Sequence, residues 1–135
     1  EFAIDEAHNR GLELQAWFNP FRIDSNSQKF NVDEYINELP DKVILKDNPN
    51  WIIKYNNYYY LDIGVPEVRQ YVIDTIIEVV NNYDIDGVVL DDYFYPYPAE
   101  GIEFPDNETY EKYGEGFHTK EEWRRDNVNK FIRDL

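Results

Sequence analysis

The sequence predicts an α/β fold in which parallel strands are joined by a helix, and three observations carry that expectation. "EVRQYVIDTIIEVVNNY" (67–83) repeats apolar residues at Val68, Val72, Ile76, Val79 and Val80, the spacing of a helix. "GVVLD" (87–91) lacks alternation, as expected of a short strand covered on both faces. The link between the two is short, whereas the segments after each predicted strand are long, aromatic and polar. Helices alternating with strands imply a parallel sheet with right-handed crossovers. Long loops at the carboxyl ends of strands are where α/β barrels and open sheets place their sites. Two strands cannot close a barrel, so a chain of this kind supplies about a quarter of one.

The elements follow in order. Residues 2–10 read as the end of an amphipathic helix with Phe2, Ala3, Ile4 and Ala7 on one side, and Gly11 stands where a terminating glycine belongs. "LELQAWF" (12–18) alternates toward a strand that Asn19-Pro20 breaks. "DSNSQ" reads as a loop, "NVDEYINEL" (31–39) as a short helix ended by Pro40, and "KVIL" (42–45) as an apolar run without an assignment. "WIIKYNNYYYL" (51–61) predicts a hairpin around Asn56-Asn57, because asparagine tolerates the left-handed turn conformation. Pro66 suits the first position of the following helix. After the second strand a loop runs to about Pro105, and "NETYEKYG" holds a helical turn or two. Thr119 with Glu122 forms a capping box for "KEEWRRDNVNKFIRDL".

Composition limits the partners. With 28 acidic against 13 basic residues the formal charge is −15, which disfavours nucleic acid and anionic membrane surfaces and suits a soluble surface. No apolar run approaches the roughly 20 residues of a membrane span. There is no cysteine, hence no disulfide framework or thiolate metal site, and no signal peptide is visible. The chain lacks methionine and opens in what reads as the middle of a helix, as expected of a segment of a longer protein. The 12 Tyr, 8 Phe and 3 Trp exceed what packing alone asks. Tyr58, Tyr59, Tyr60, Tyr93, Tyr95 and Tyr97 crowd polar, turn-rich stretches, and aromatic faces with hydroxyl handles suit ligands that themselves carry apolar faces and hydroxyls.

The chemistry concentrates at "DIDGVVLDDYFYPYP" (84–98), where an apolar strand runs into Asp91 and Asp92. Alternation puts Gly87, Val89 and Asp91 on one face and Val88, Leu90 and Asp92 on the other, so one acid points into a barrel mouth. Asp91 is expected to be a nucleophile or general base, with Asp92 fixing its surroundings; the plainer alternative is that both cap backbone amides of the loop. Trp17, Asn19 and Arg22 in "AWFNPFR" end the first strand with an aromatic face, a donor–acceptor amide and a guanidinium fork, a set suited to a hydroxylated or carboxylated ligand. The alternative there is a local acid for Arg22 and a turn-shaping role for Asn19. Asn82, Asp84, Asp86 and Gly87 match the start of a calcium loop, but the twelfth position is Tyr93 where a bidentate Glu is needed. Asp84 and Asp86 therefore read as loop residues ahead of the strand. His8 and His118 read as isolated, giving no triad and no zinc motif. Neither a phosphate-cradling glycine loop nor a G-x-S-x-G elbow is present, so no metal or cofactor is expected.

At "AWFNPFR", "WIIKYNNYYYLDIGVPEVRQYV", "YDIDGVVLDDYFYPYP" and "WRRDNVNKFI" the chain resembles the glycosyl-hydrolase-like proteins of bacterial cell envelopes, often described as lipoproteins and distantly similar to α-amylases. The resemblance covers nearly the whole chain. It implies a segment of a (β/α)8 TIM barrel in a single partial domain spanning 1–135, and an extracellular or cell-envelope location. It also implies a glycoside hydrolase acting on a polysaccharide, in which an Asp ending the fourth barrel strand attacks the anomeric carbon. Asp91 matches that position. The resemblance places Asn19 and Arg22 at the active-site mouth, with Tyr93 and Tyr95 among the tyrosines that wall it against sugar rings. Retaining hydrolysis needs a second carboxyl group about 5 Å away. In amylase-like barrels it comes from the next strand, beyond Leu135, so the segment by itself is expected to be inactive. Its exposed strand edges predict self-association. The rival expectation is a non-catalytic carbohydrate-binding or scaffolding module on the same fold; a calcium-dependent module is a third.

Overall fold

A computed structural model describes residues 1–24, 31–91 and 94–135. Helix α1 (Phe2–His8) ends at Gly11, whose φ of 66° and the bonds from Gly11 N–H to His8 O and Leu12 N–H to Ala7 O make a Schellman motif. That motif takes up Leu12, so strand β1 is only Gln15–Phe18 rather than the whole of 12–18. Of the four apolar positions on α1 only Ile4 is buried, and Phe2 faces outward.

The long segment after β1 is not a plain loop. It contains β2 (Arg22–Asp24), α2 (Val32–Glu38), α3 (Ile44–Asp47), a 3-10 turn at Pro49–Trp51, β3 (Ile52–Tyr55) and β4 (Tyr58–Leu61). Asn31 caps α2 by accepting from Glu34 N–H at 2.8 Å, and the unassigned apolar run becomes the start of α3. The β3–β4 hairpin turns at Asn56 with φ 54°, as its asparagine pair predicts, and β2 joins β4 antiparallel to give the order β2-β4-β3.

Alternation along β4 sorts the tyrosine run. Tyr59 is fully buried, stacked on Tyr35 at 4.3 Å, and its hydroxyl donates to Asn31 O. Tyr58 and Tyr60 turn the other way, toward Tyr55, Phe104 and Ala99. Tyr59 is thus core, correcting the expectation that the whole run serves a ligand: one of three consecutive strand residues must face the larger cluster.

Helix α4 (Pro66–Asn82) begins with its proline and buries Val68, Val72, Ile73 and Ile76, while Val80 is exposed. It leads into β5 (Gly87–Leu90), which pairs parallel with β1 in the register Gln15↔Gly87 to Phe18↔Leu90. The parallel sheet expected from the sequence is therefore present. β5 is half-buried throughout, not covered on both faces, because among the described residues only the face bearing Phe18, Val88 and Leu90 packs on the main core.

Helices α5 (Asn107–Tyr113) and α6 (Lys120–Asp134) close the chain. Thr119 Oγ1 accepts from Glu122 N–H at 3.1 Å, but the Glu122 carboxylate reaches back to His118 N–H, one residue earlier than in the simplest capping box. Trp123 and Phe131 of α6 are almost wholly buried, with Phe131 edge-on to Phe21 at 5.0 Å. A Cβ built on Gly64 would stand 2.5 Å from Trp123 Cη2 and 2.8 Å from Thr109 Cγ2. Gly64→Ala is therefore expected to cost about 1–3 kcal/mol by overpacking, read as a lower urea midpoint at unchanged m-value.

Polar groups stitch these elements together. Asp62, buried at the end of β4, accepts from Gly64 N–H at 2.9 Å and Thr109 Oγ1 at 2.5 Å. Burial pushes its carboxyl upward, against the pull of those two donors. Arg69 of α4 donates to Ile63 O and Asn127 Oδ1, and Asn127 of α6 donates to the Tyr95 hydroxyl.

His8 is not isolated. Its Nε2 lies 2.9 Å from Asp86 Oδ2, which also accepts from Leu14 N–H at 2.7 Å, and Asp84 is 3.9 Å from Nδ1. Asp86 therefore ties α1, the approach to β1 and the start of β5, a contact across 78 positions that spacing cannot reveal. The Asp86 hydrogen bond raises His8 above 6.5, and the Leu14 N–H holds Asp86 below 3.8. A raised histidine stabilises fully below its unfolded value and loses that contribution as pH climbs through the folded one. A depressed aspartate contributes above its unfolded value and loses it as pH falls through the folded one. The melting gap between the native protein and His8→Ala is thus expected to be widest between about pH 4 and 6.5 and to narrow toward pH 8 in a calorimetric pH series.

Candidate functional site

Because β1 and β5 run parallel and end in register, the residues that follow them emerge side by side at one end of the sheet. The Asp91 N–H donates to Phe18 O at 2.8 Å, extending the ladder one step past β5. Asp91 is half-buried. Phe18, Val88 and Leu90 face the core, so alternation sets Trp17, Val89 and Asp91 on the opposite face. Trp17 there is 72% exposed. Asp92 and Tyr93 lie outside the described residues.

Asn19 and Arg22 come together. With the amide oxygen assigned toward the guanidinium, Asn19 accepts from Arg22 Nη2 at 2.8 Å and Nε at 3.2 Å. Between them Phe21 is fully buried against Phe94 and Phe131, which pins the short turn joining β1 to β2. Arg22 opens β2 opposite Tyr60, so its stem runs from the strand end toward the hairpin.

There a concave pocket of about 270 Å³ opens between the hairpin and the tyrosine–proline segment, with Arg22, Tyr58, Tyr60 and Tyr97 among its walls. Tyr97 is 63% exposed. A second hollow of about 210 Å³ shares Tyr55, Pro96 and Pro98 with it and adds Tyr95, Glu103 and Arg124. Tyr95 is packed rather than displayed: its ring stands edge-on to Phe104 at 5.6 Å and its hydroxyl accepts from Asn127. Burial pushes its phenol upward.

The structure thus brings Asn19, Arg22 and Asp91 to one end of the parallel sheet, sets Trp17 on the Asp91 face, and packs Tyr95 against Phe104 and Asn127 of α6. Of the pocket's tyrosines, Tyr58, Tyr60 and Tyr97 belong to the set that the sequence marks as suited to a ligand, whereas Tyr55 is not marked by it. The signal available was the period-two spacing in "YNNYYY", which puts Tyr58 and Tyr60 on one face. Among the described residues no group of three or more histidines and acids could hold a metal ion, and Asp86 of the calcium-like stretch is engaged by His8 and Leu14.

A protein family described as glycosyl hydrolase-like 10 matches residues 1–135. Glycosyl hydrolase YngK of Bacillus subtilis (strain 168) is 44% identical over 135 residues, covering 99% of this chain and 25% of its own. Glycosyl hydrolase DigH of Escherichia coli (strain K12) is 39% identical over 135 residues, covering 98% of this chain and 30% of its own. The chain spans between a quarter and a third of the length of these relatives.

Proposed function

The chain belongs to the glycosyl hydrolase-like 10 family, and on that premise we propose that the protein carrying it hydrolyses O-glycosidic bonds of a polysaccharide through Asp91. The observation that carries this reading is the shared carboxyl end of β1 and β5, where Asp91 follows β5 and the Asn19–Arg22 pair follows β1, with Asp91 set by alternation on the face away from the main core. In a (β/α)8 barrel, of which these strands would be two staves, that face is the interior and that end is the mouth.

The proposed chemistry is displacement at the anomeric carbon. The Asp91 carboxylate attacks, the bond to the leaving oxygen breaks, and a second carboxyl group protonates that oxygen. Water then releases the sugar from the ester. The second group comes from chain outside these residues, so this segment alone binds sugar without turning it over. Asp92 is assigned to the surroundings of the nucleophile, Asn19 and Arg22 to substrate hydroxyls, and Trp17 and Tyr93 to the aromatic lining, with Tyr95 packed behind it. The outer edges of β1 and β5, unpaired among the described residues, receive neighbouring staves in the longer protein, and in the isolated segment they drive self-association. The location is the cell envelope or beyond, checked by fractionation of the producing cells.

The test is reducing-end release by the full-length protein from a panel of bacterial-wall and plant glycans, alongside its Asp91→Asn variant. Release that vanishes in the variant while glycan binding persists supports the hydrolase. Binding without release from any glycan moves the protein to the carbohydrate-binding reading.

A further inference from the structure

We propose that the pocket between the β3–β4 hairpin and the 96–99 segment is a subsite for one sugar ring, and that Tyr55 is its positioning residue. This rests on the hydrolase reading above, and names residues that reading does not use. The Tyr55 ring is buried edge-on to Phe104 at 5.5 Å, so its hydroxyl has a fixed place in the fold. That hydroxyl accepts from Ala99 N–H at 2.6 Å and has two carbonyls for its own proton, Ile102 O at 3.3 Å and Tyr97 O at 3.4 Å. One side-chain oxygen thereby organises three backbone groups of a segment whose regular structure is otherwise a single bridge, Ala99 with Ile102. Pro96 and Pro98 fix the backbone on either side of Tyr97.

The consequence of that clamp is where Tyr97 stands. Its carbonyl is held by the Tyr55 hydroxyl while the residue stays exposed, and Tyr97 lines the pocket together with the half-buried Tyr58. An exposed aromatic on a pinned backbone offers an apolar face at little ordering cost, which suits the C–H face of a pyranose. Tyr58 and the buried Tyr60 complete the aromatic wall, and Asn56, held at φ 54°, lines it with an amide side chain. The volume of about 270 Å³ falls just below the range for drug-sized ligands, about 300–1,000 Å³, and so fits one monosaccharide unit. Arg22 lies in the wall of this pocket and against Asn19 at the end of β1, which joins the subsite to the mouth where Asp91 emerges.

The experiment uses the full-length protein and whichever glycan of the panel it cleaves, with Tyr97→Ala, Tyr55→Phe and Asp91→Asn compared by steady-state kinetics and melting. Tyr97→Ala is expected to raise KM about tenfold, the scale of one aromatic contact, with kcat within a few-fold. Tyr55→Phe retains the ring and deletes the clamp, and is expected to raise KM severalfold in the same direction. A melting loss in Tyr55→Phe with unchanged KM overturns the positioning role. Unchanged KM in Tyr97→Ala, with turnover still abolished in Asp91→Asn, overturns the subsite and leaves the hydrolase reading standing. Absence of turnover of every glycan by the native protein overturns both.

Discussion

Asn in place of Asp91 is expected to lower glycan turnover by the full-length protein about a thousandfold or more, with binding kept within a few-fold. Groups that act only in the transition state lose kcat and kcat/KM together, and single losses of this kind reach about 10⁴ in well-studied hydrolases. Asn keeps the shape and one acceptor oxygen but cannot form the glycosyl ester. The matched variant is Asp92→Asn. Alternation sends position 92 toward the helix layer if the strand continues past Leu90, so its loss should be felt through geometry, at about ten- to a hundredfold. If Asp92→Asn proves the more damaging of the two, the roles are reversed and the strand curls at its end. Equal and mild effects from both would point to loop capping instead.

What could be read from the sequence divides along a physical line. Local pattern revealed local elements: the 17-residue helix from Pro66, the parallel partner "GVVL", the Thr119 cap and the asparagine hairpin all appear. Contacts closed by the chain returning on itself were not legible. His8 looked solitary because its partner lies 78 positions away. The run Tyr58-Tyr59-Tyr60 looked uniform because composition does not say which face of a strand is covered. Strand β2 was not visible within the first long segment because it is three residues long and pairs across a shifted register with β4. Of the candidate site, the acids at a strand end and the "NPFR" turn were visible as motifs. The pocket beside them was not, since it exists only where the hairpin meets the tyrosine–proline segment.

The largest expected loss of stability follows from removing Arg124. Asp106 is buried, and its carboxylate is held in a fork: Arg124 Nε donates to Oδ2 at 2.8 Å and Nη2 to Oδ1 at 2.5 Å. Arg124 also donates to Phe104 O and lies over the Tyr95 and Phe104 rings, so one side chain joins α6 to the loop beneath the second hollow. Asp106 is the residue before α5, yet its carboxylate makes no cap bond there and depends on α6 instead. Arg124→Leu would leave a desolvated carboxylate with only Lys120 nearby, at 3.7 Å. Deleting one partner of a buried pair costs about 3–5 kcal/mol, and the lysine together with the partial exposure of Arg124 argues for the lower end, about 3 kcal/mol. Asp106→Leu with Arg124→Leu removes both charges and should lose less than the sum of the single variants, because most of the single-variant cost is the stranded charge and not the missing attraction. Urea unfolding of the four proteins closes this cycle. Additive losses would mean that Asp106 finds solvent or Lys120 once Arg124 is gone. A coupling of about 1–3 kcal/mol would place the tie between α6 and the tyrosine loop in this pair, and with it part of the rigidity that the neighbouring aromatic walls require.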